Sequence, residues 1–223
     1  MVAIRSFRAL RYDPAIAGEL GRVIAPPYDV IDAQEQERLY RASPHNIVRL
    51  ILGKQSPADT ETDNRYTRAC RDYNAWRAQG VLQRDAIPAL YAVEHVFTDP
   101  LGARRSRLGV IAVLDVNGGV EGVLKHERTL PGPKEDRTRL LEAVPANLEP
   151  IFCVYPDATG GMQRQLAAAA HRPPLAAATL GTEGVRLWAI QDPGLIAALA
   201  RHLASSPVLI AYGIEVGDGA PWY

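Results

Sequence analysis

Apolar and polar positions alternate in some stretches of the chain and recur at three- and four-residue spacing in others, which separates strands from helices. MVAIRSFRALRY alternates enough to read as a strand. RVIAPPYDVI reads as a second extended segment, broken at Pro26 and Pro27, whose fixed φ forces extended neighbours. In DAQEQERLYRASP, Asp32 is an N-cap with Glu35 three residues on, which predicts a helix over about 33–42. The continuous apolar run HNIVRLILG reads as a strand. In DNRYTRACRDYNAWRAQGVL, Tyr66, Ala69, Cys70, Tyr73 and Trp76 recur at helical spacing and Gly80 stops the pattern, so a helix with an aromatic core stripe is expected.

ALYAVEHVFTDPLGARRSRLGVIAVLDV is two alternating runs joined by the turn Asp99–Gly102, a hairpin. KEDRTRLLEAV predicts a helix with Glu135 and Asp136 in its first turn, where the helix dipole favours acids. EPIFCVYPD reads as a buried strand and GGMQRQLAAAAHR as a helix. PPLAAATLGTEGVRLWAIQD is a second hairpin turning at Gly181–Gly184. DPGLIAALARHLA is a helix capped by Asp192 with Pro193 at N1, and SPVLIAYG a final strand. There is no internal repeat, low-complexity segment or clear linker. The pattern defines an α+β protein, a mixed sheet with hairpins and flanking helices. It is either a single domain over residues 1–223 or the N-terminal portion of a longer protein, with an atypical Gly- and Pro-rich tail over 212–223.

With 223 residues, 47% of them apolar, the chain is long enough for a real core. Basic and acidic residues number 25 each, so bulk charge gives no reason to expect a nucleic-acid or membrane partner. No apolar run approaches the roughly 20 residues of a membrane helix. The start, MVAIRSFRAL, lacks the apolar core of a secretory signal, so a cytoplasmic location is expected. Cys70 and Cys153 are far apart and neither CxxC nor HExxH occurs, which fits reduced thiols and no structural metal. All basic residues but Lys54, Lys125 and Lys134 are arginine.

Two of those lysines fall in KHERTLPGPKEDR, residues 125–137, the densest concentration of chemistry in the chain. Lys125, Arg128, Lys134 and Arg137 could hold phosphate, Thr129 could donate a hydroxyl hydrogen bond, and the following helix start offers free N–H groups. His126 and Glu127 could carry protons. These are the parts of phosphoryl transfer, although GxxxxGK[ST] is absent. The same residues also fit a solvated loop running into a capped helix. APPYDVI is the other unusual segment: two prolines pin the backbone and present Tyr28 and Asp29 at low entropic cost, either as a rigid turn or as a site wall with Asp29 as acid, base or ligand. Asn46 and Arg49 of SPHNIVRL could hydrogen-bond a ligand or cap the segment.

FRALRYDP, VIAPPYDVI, SPHNIVRLILG, DNRYTRA, HERTLPGPKEDR, NLEPIFCVYPD and LWAIQDP together resemble, in order, the bacterial family known as domain of unknown function 1015. That family is distantly similar to the ParB/sulfiredoxin-like fold, which includes free serine kinases. The resemblance implies nucleotide-dependent phosphoryl transfer to a small hydroxylated metabolite such as serine, with ATP or ADP and Mg²⁺ as cofactors and a small-molecule or nucleotide ligand as partner. By this resemblance Glu127, Asp29 or His126 would be catalytic, and Tyr28, Asn46, Lys125, Arg128, Thr129, Lys134 and Arg137 would bind phosphate or ligand. The chain departs from the family after its last strand. Ala211 and Gly213 match an Ala-Asp-Gly-His-His-Arg segment, but Tyr212 replaces its Asp, and Ile214, Glu215 and Val216 replace its last three residues. Ile214 and Val216 bring no charge to a phosphate, so the departure implies a truncated product with impaired activity. The alternatives are a non-catalytic anion- or nucleotide-binding regulatory module and a non-functional fragment.

Overall fold

The computed structural model describes residues 2–115, 122–125 and 131–212. Where the sequence reads as one opening strand there are two short ones, β1 (Ile4–Arg5) and β2 (Leu10–Tyr12), followed by a single turn, α1 (Pro14–Ala17), capped by Asp13. RVIAPPYDVI is not a strand. It holds two 3-10 turns, Leu20–Arg22 and Tyr28–Val30, because Pro27 enters the second with φ −52° and Val30 N–H returns to the Pro27 carbonyl at 3.2 Å. The helix α2 (Ala33–Ala42) starts as expected, with the Asp32 carboxylate accepting the Glu35 N–H at 2.7 Å.

HNIVRLILG is also not a strand but contains a short helix, α3 (Val48–Ile51), whose first turn is started by Asn46 Oδ1 accepting the Val48 N–H at 2.9 Å. Val48, Leu50 and Ile51 are all buried, and a run buried on every side carries no period from which its type can be read. The helix α4 (Arg65–Ala78) begins with a reciprocal cap between Asn64 and Thr67 and ends before Gly80 at φ 76°, a left-handed position that suits glycine. After β3 (Leu82–Arg84) come the hairpin strands β4 (Leu90–Thr98) and β5 (Arg104–Ile111), then β6 (Val113–Leu114) and β7 (Val123–Leu124).

The helix α5 (Pro131–Ala143) starts at Pro131, earlier than expected, so Glu135 and Asp136 lie beyond its first turn. Proline suits that start because its missing N–H is an orphan there anyway. β8 (Phe152–Val154) exposes Phe152 and Val154 and is not the buried strand expected. α6 (Gly161–Ala169), the hairpin β9 (Ala176–Leu180) and β10 (Glu183–Ile190), α7 (Pro193–Ala204) and β11 (Val208–Tyr212) complete the described chain. The architecture is mixed α+β, with seven helices among the described residues and several small sheets.

The described residues divide into two compact units. The first takes residues 2–10, 84–125 and 152–212. Its main sheet is antiparallel in the order β5-β4-β10-β9, and a smaller sheet runs β7-β11-β8. The residues that enter this core alternate along the two strands: Ala92 faces Trp188 and Leu90 faces Ile190, and all four pack with Met162 and Leu166 of α6 and Leu199 and Leu203 of α7. The second unit takes residues 11–83 and, of the later stretch, 131–151. Its buried residues include Val23, Leu39, Val48, Leu50, Ile51, Ala69, Tyr73, Trp76, Leu140 and Val144, which come chiefly from helices. No helix among the described residues is long and apolar enough to cross a membrane.

Candidate functional site

The second unit brings the proline corner and α5 together. Tyr28 sits half-buried at the start of its 3-10 turn, with exposed Asp29 beside it. The guanidinium carbon of Arg137 lies 3.9 Å from the centre of the Tyr28 ring. This stacking fixes the plane of the cation and removes it from bulk water on one face. Two carboxylates hold its edges. Nε donates to Asp136 Oδ2 at 2.9 Å, Nη2 donates to the same oxygen, and Nη1 donates to Glu149 Oε2 at 2.9 Å. The other oxygen of Glu149 accepts the backbone N–H of Tyr28 at 3.2 Å. Glu149 therefore ties the corner to the helix.

A second pair of side chains, from the first turn of α4, completes the network. Tyr66 Oη donates to Asp136 Oδ1 at 2.7 Å, and Arg65 pairs with that same oxygen. Arg65 also donates to Tyr66 Oη at 2.9 Å. The Arg137 side chain keeps only 11% of its exposure and that of Asp136 17%. Near this network a narrow cleft, partly open to solvent, is lined by Leu50, Ile51, Gly53, Arg65, Tyr66, Arg137 and Leu140. As it stands the cleft has a volume of about 10 Å³, room for about one water molecule and far below the roughly 300 Å³ at which small-molecule pockets begin. Gly53 sits close against the start of α4: a Cβ there would lie 3.1 Å from Arg65 Cβ and 3.2 Å from the Arg65 carbonyl oxygen, so the neighbouring chain would have to give by a few tenths of an ångström.

The two carboxyl groups are pushed in opposite directions. Burial drives the Asp136 carboxyl up, but the hydrogen bonds from Tyr66 and Arg137 and the charges of Arg137 and Arg65 outweigh it and hold the group below the usual range. Burial also drives Glu149 up, and there Arg137 and the Tyr28 N–H do not fully offset it, so the group stays above the usual range. Burial raises the phenols of Tyr28 and Tyr66 as well. Environments that separate two neighbouring carboxyls in this way are the pattern by which one acts as a fixed anion and the other as a proton carrier.

Of the site residues read from the sequence, Tyr28, Asp29, Asn46, Lys134 and Arg137 lie in this unit, and Tyr28 and Arg137 are in contact. Lys134 is half-buried, one helical turn before Arg137, and its ammonium has no partner among the described residues. Asn46 is fully buried, and its amide donates to the Arg22 and Ile24 carbonyls at 2.8 and 2.9 Å besides accepting from Val48. It pins the backbone that leads into the proline corner. Arg49 lies 4.3 Å from the centre of the Tyr40 ring and donates to the Tyr40 carbonyl. Lys125 lies exposed after β7 in the first unit. His126, Glu127, Arg128, Thr129 and the departure at Gly213–Val216 lie outside the described residues. Glu149, Asp136, Arg65 and Tyr66 were not singled out as functional, although the signal was present: they sit in NLEPIFCVYPD, HERTLPGPKEDR and DNRYTRA, three of the segments that carry the family resemblance.

A mixed α+β protein with a partly buried arginine–carboxylate–tyrosine network is thus the class that fold and site define. The chain belongs to the family described as Protein of unknown function (DUF1015), whose model matches residues 4–213. No match was found among curated proteins or solved structures.

Proposed function

We propose that the Tyr28–Arg137–Glu149 site binds the phosphate of a small ligand and serves phosphoryl transfer from a nucleotide to a small hydroxylated metabolite. Free serine is the acceptor that the ParB/sulfiredoxin-like resemblance suggests. The observation that supports this reading is the fixed Arg137 guanidinium, stacked on Tyr28 and held at both edges, beside a carboxyl that burial keeps ready to take a proton. In this reading Arg137 and Lys134 receive phosphate oxygens. Asp29 takes the acceptor's hydroxyl proton, a role the sequence also offers Glu127, which lies outside the described residues. These residues fit the phosphate part of ATP or ADP. They do not fit its Mg²⁺ as a cage, because Asp136 and Glu149 turn their oxygens to arginine, tyrosine and backbone donors, and no step is assigned to the metal.

A second reading, a regulatory module that binds an anion without turnover, is favoured by the small cleft and by the carboxylates that already neutralise Arg65 and Arg137. Calorimetric titration with ADP and with pyrophosphate, alongside ³¹P NMR of ATP or ADP with Mg²⁺ and serine, separates the two. Saturable binding weakened at least tenfold in Arg137→Lys, which keeps the charge and loses the planar fork, is expected under both. Phosphoserine formation selects transfer, and binding without product selects regulation. Absence of binding by ATP, ADP and pyrophosphate sinks both.

A further inference from the structure

We infer that Glu149 occupies the oxyanion seat of this site in the free protein, and that a ligand's phosphate or carboxylate enters by displacing it while Glu149 takes up one proton from solvent. The inference rests on the reading of the site as one for an oxyanion.

Arg137 is held by two carboxylates that are not equivalent. Asp136 receives four hydrogen bonds, two from Arg137, one from Tyr66 and one from Arg65. Glu149 receives two, one from Arg137 Nη1 at 2.9 Å and one from the Tyr28 N–H at 3.2 Å, the long end of the range for an N–H donor. Its side chain is also more exposed, 30% against 17%. Glu149 is therefore the partner that can leave. When it does, Asp136 still grips Nε and Nη2 and the Tyr28 ring still supports the guanidinium face, so Arg137 keeps its orientation.

What Glu149 leaves behind is a charged donor and a backbone donor aimed at the two oxygens of one group. A carboxylate already seated on them shows that the pair accepts an oxyanion, and two oxygens of a tetrahedral phosphate present the same edge. The displaced carboxylate then loses its cation and stands beside a new anion. The groups that face it are Arg137 and Asp136 from α5 and Tyr28 and Asp29 from the proline corner. With Arg137 turned to the ligand, the remaining charges there are negative, and partial burial penalises the ion further. The carboxyl therefore binds a proton, and no covalent bond changes.

Sulfate is a suitable probe, since it is tetrahedral and remains a dianion from about pH 5.5 to about pH 8, so any pH dependence belongs to the protein. Titrated into the full chain, sulfate is expected to bind more weakly as pH rises, approaching tenfold per pH unit, with calorimetry in two buffers of different ionisation enthalpy reporting uptake of one proton. Glu149→Gln is expected to bind sulfate roughly tenfold more tightly and with no pH dependence. Binding that is independent of pH and equal in wild type and Glu149→Gln overturns the inference and leaves the oxyanion reading standing. Binding by Glu149→Gln alone supports the inference, and binding by neither protein overturns both. If Glu149→Gln does not fold, proton uptake by the wild type decides, and zero uptake refutes the displacement.

Discussion

The two units bury different things. The first builds its interior from alternating apolar side chains on β4 and β10, with Trp188 donating its one indole N–H to the Arg172 carbonyl at 2.7 Å. Its ion pairs, such as Arg186 with Glu94 and Arg105 with Asp99, include an arginine that is more than half exposed. The second unit draws its apolar residues from short helices and encloses Arg137 and Asp136 in a network of charges and phenols. Exposed pairs of the first kind are each worth about 0–1 kcal/mol, and breaking an enclosed pair of the second kind costs about 3–5 kcal/mol. An enclosed network is also weak evidence for stability, because apolar residues of the same volume often hold a fold as well. Among the described residues the first unit holds no arginine–carboxylate–tyrosine network of this kind.

The comparison can be broken most forcefully with one truncation in each unit. Trp188→Ala, in the first, is expected to lose about 3–5 kcal/mol in urea unfolding, from cavity and lost contacts. Arg137→Ala, in the second, is expected to lose about 3 kcal/mol by leaving Asp136 and Glu149 without their shared cation, and to abolish anion binding, which Trp188→Ala leaves intact if still folded. Loss of binding in the first variant and not the second would place the site in the wrong unit.

The two carboxyls of the site should differ in the pH dependence of stability. Asp136 is held below the usual range, so its contribution is present above the ordinary carboxylate value and is lost as pH falls through its folded value. Glu149 is raised, so its contribution is fully present below the ordinary value and is lost as pH rises through its folded value. Urea midpoints measured across acid pH should therefore lose their acid-side fall in Asp136→Asn and their fall on the neutral side in Glu149→Gln. Identical profiles for the two variants would remove the distinction.

Smaller effects test the backbone around each region. Gly53→Ala puts a Cβ 3.1 Å from Arg65 Cβ at the first turn of α4, and Gly161→Ala in the first unit puts a Cβ 3.0 Å from His202 Cε1. Each is expected to cost about 1–3 kcal/mol, but only Gly53→Ala should also weaken anion binding. Smallest and of opposite sign is Gly132→Ala, in the first turn of α5 with nothing within 4 Å of the new methyl. A gain of about 0.5–1 kcal/mol in thermal or urea unfolding is expected, because alanine loses less chain entropy than glycine.

Sequence alone was sufficient wherever structure is decided by near neighbours. Caps at Asp32 and Asp192, helical spacing in α4 and period-two alternation in β4, β5, β9 and β10 are local signals, and those helices and hairpins lie where the pattern puts them. The family was also legible, because its segments recur in order along the chain. HNIVRLILG and RVIAPPYDVI were not legible as turns and helix, since one is buried on every side and the other is set by proline geometry that extended and 3-10 backbone share at the entry residue. The network was legible only in part. Tyr28 and Arg137 stood out as unusual residues, but Glu149 lies 121 positions from the Tyr28 N–H it accepts, and no periodicity spans that separation. Only folding in three dimensions brings these groups within hydrogen-bond range, and burial then sets which carboxyl holds its charge and which gives way, a difference that residue type alone does not carry.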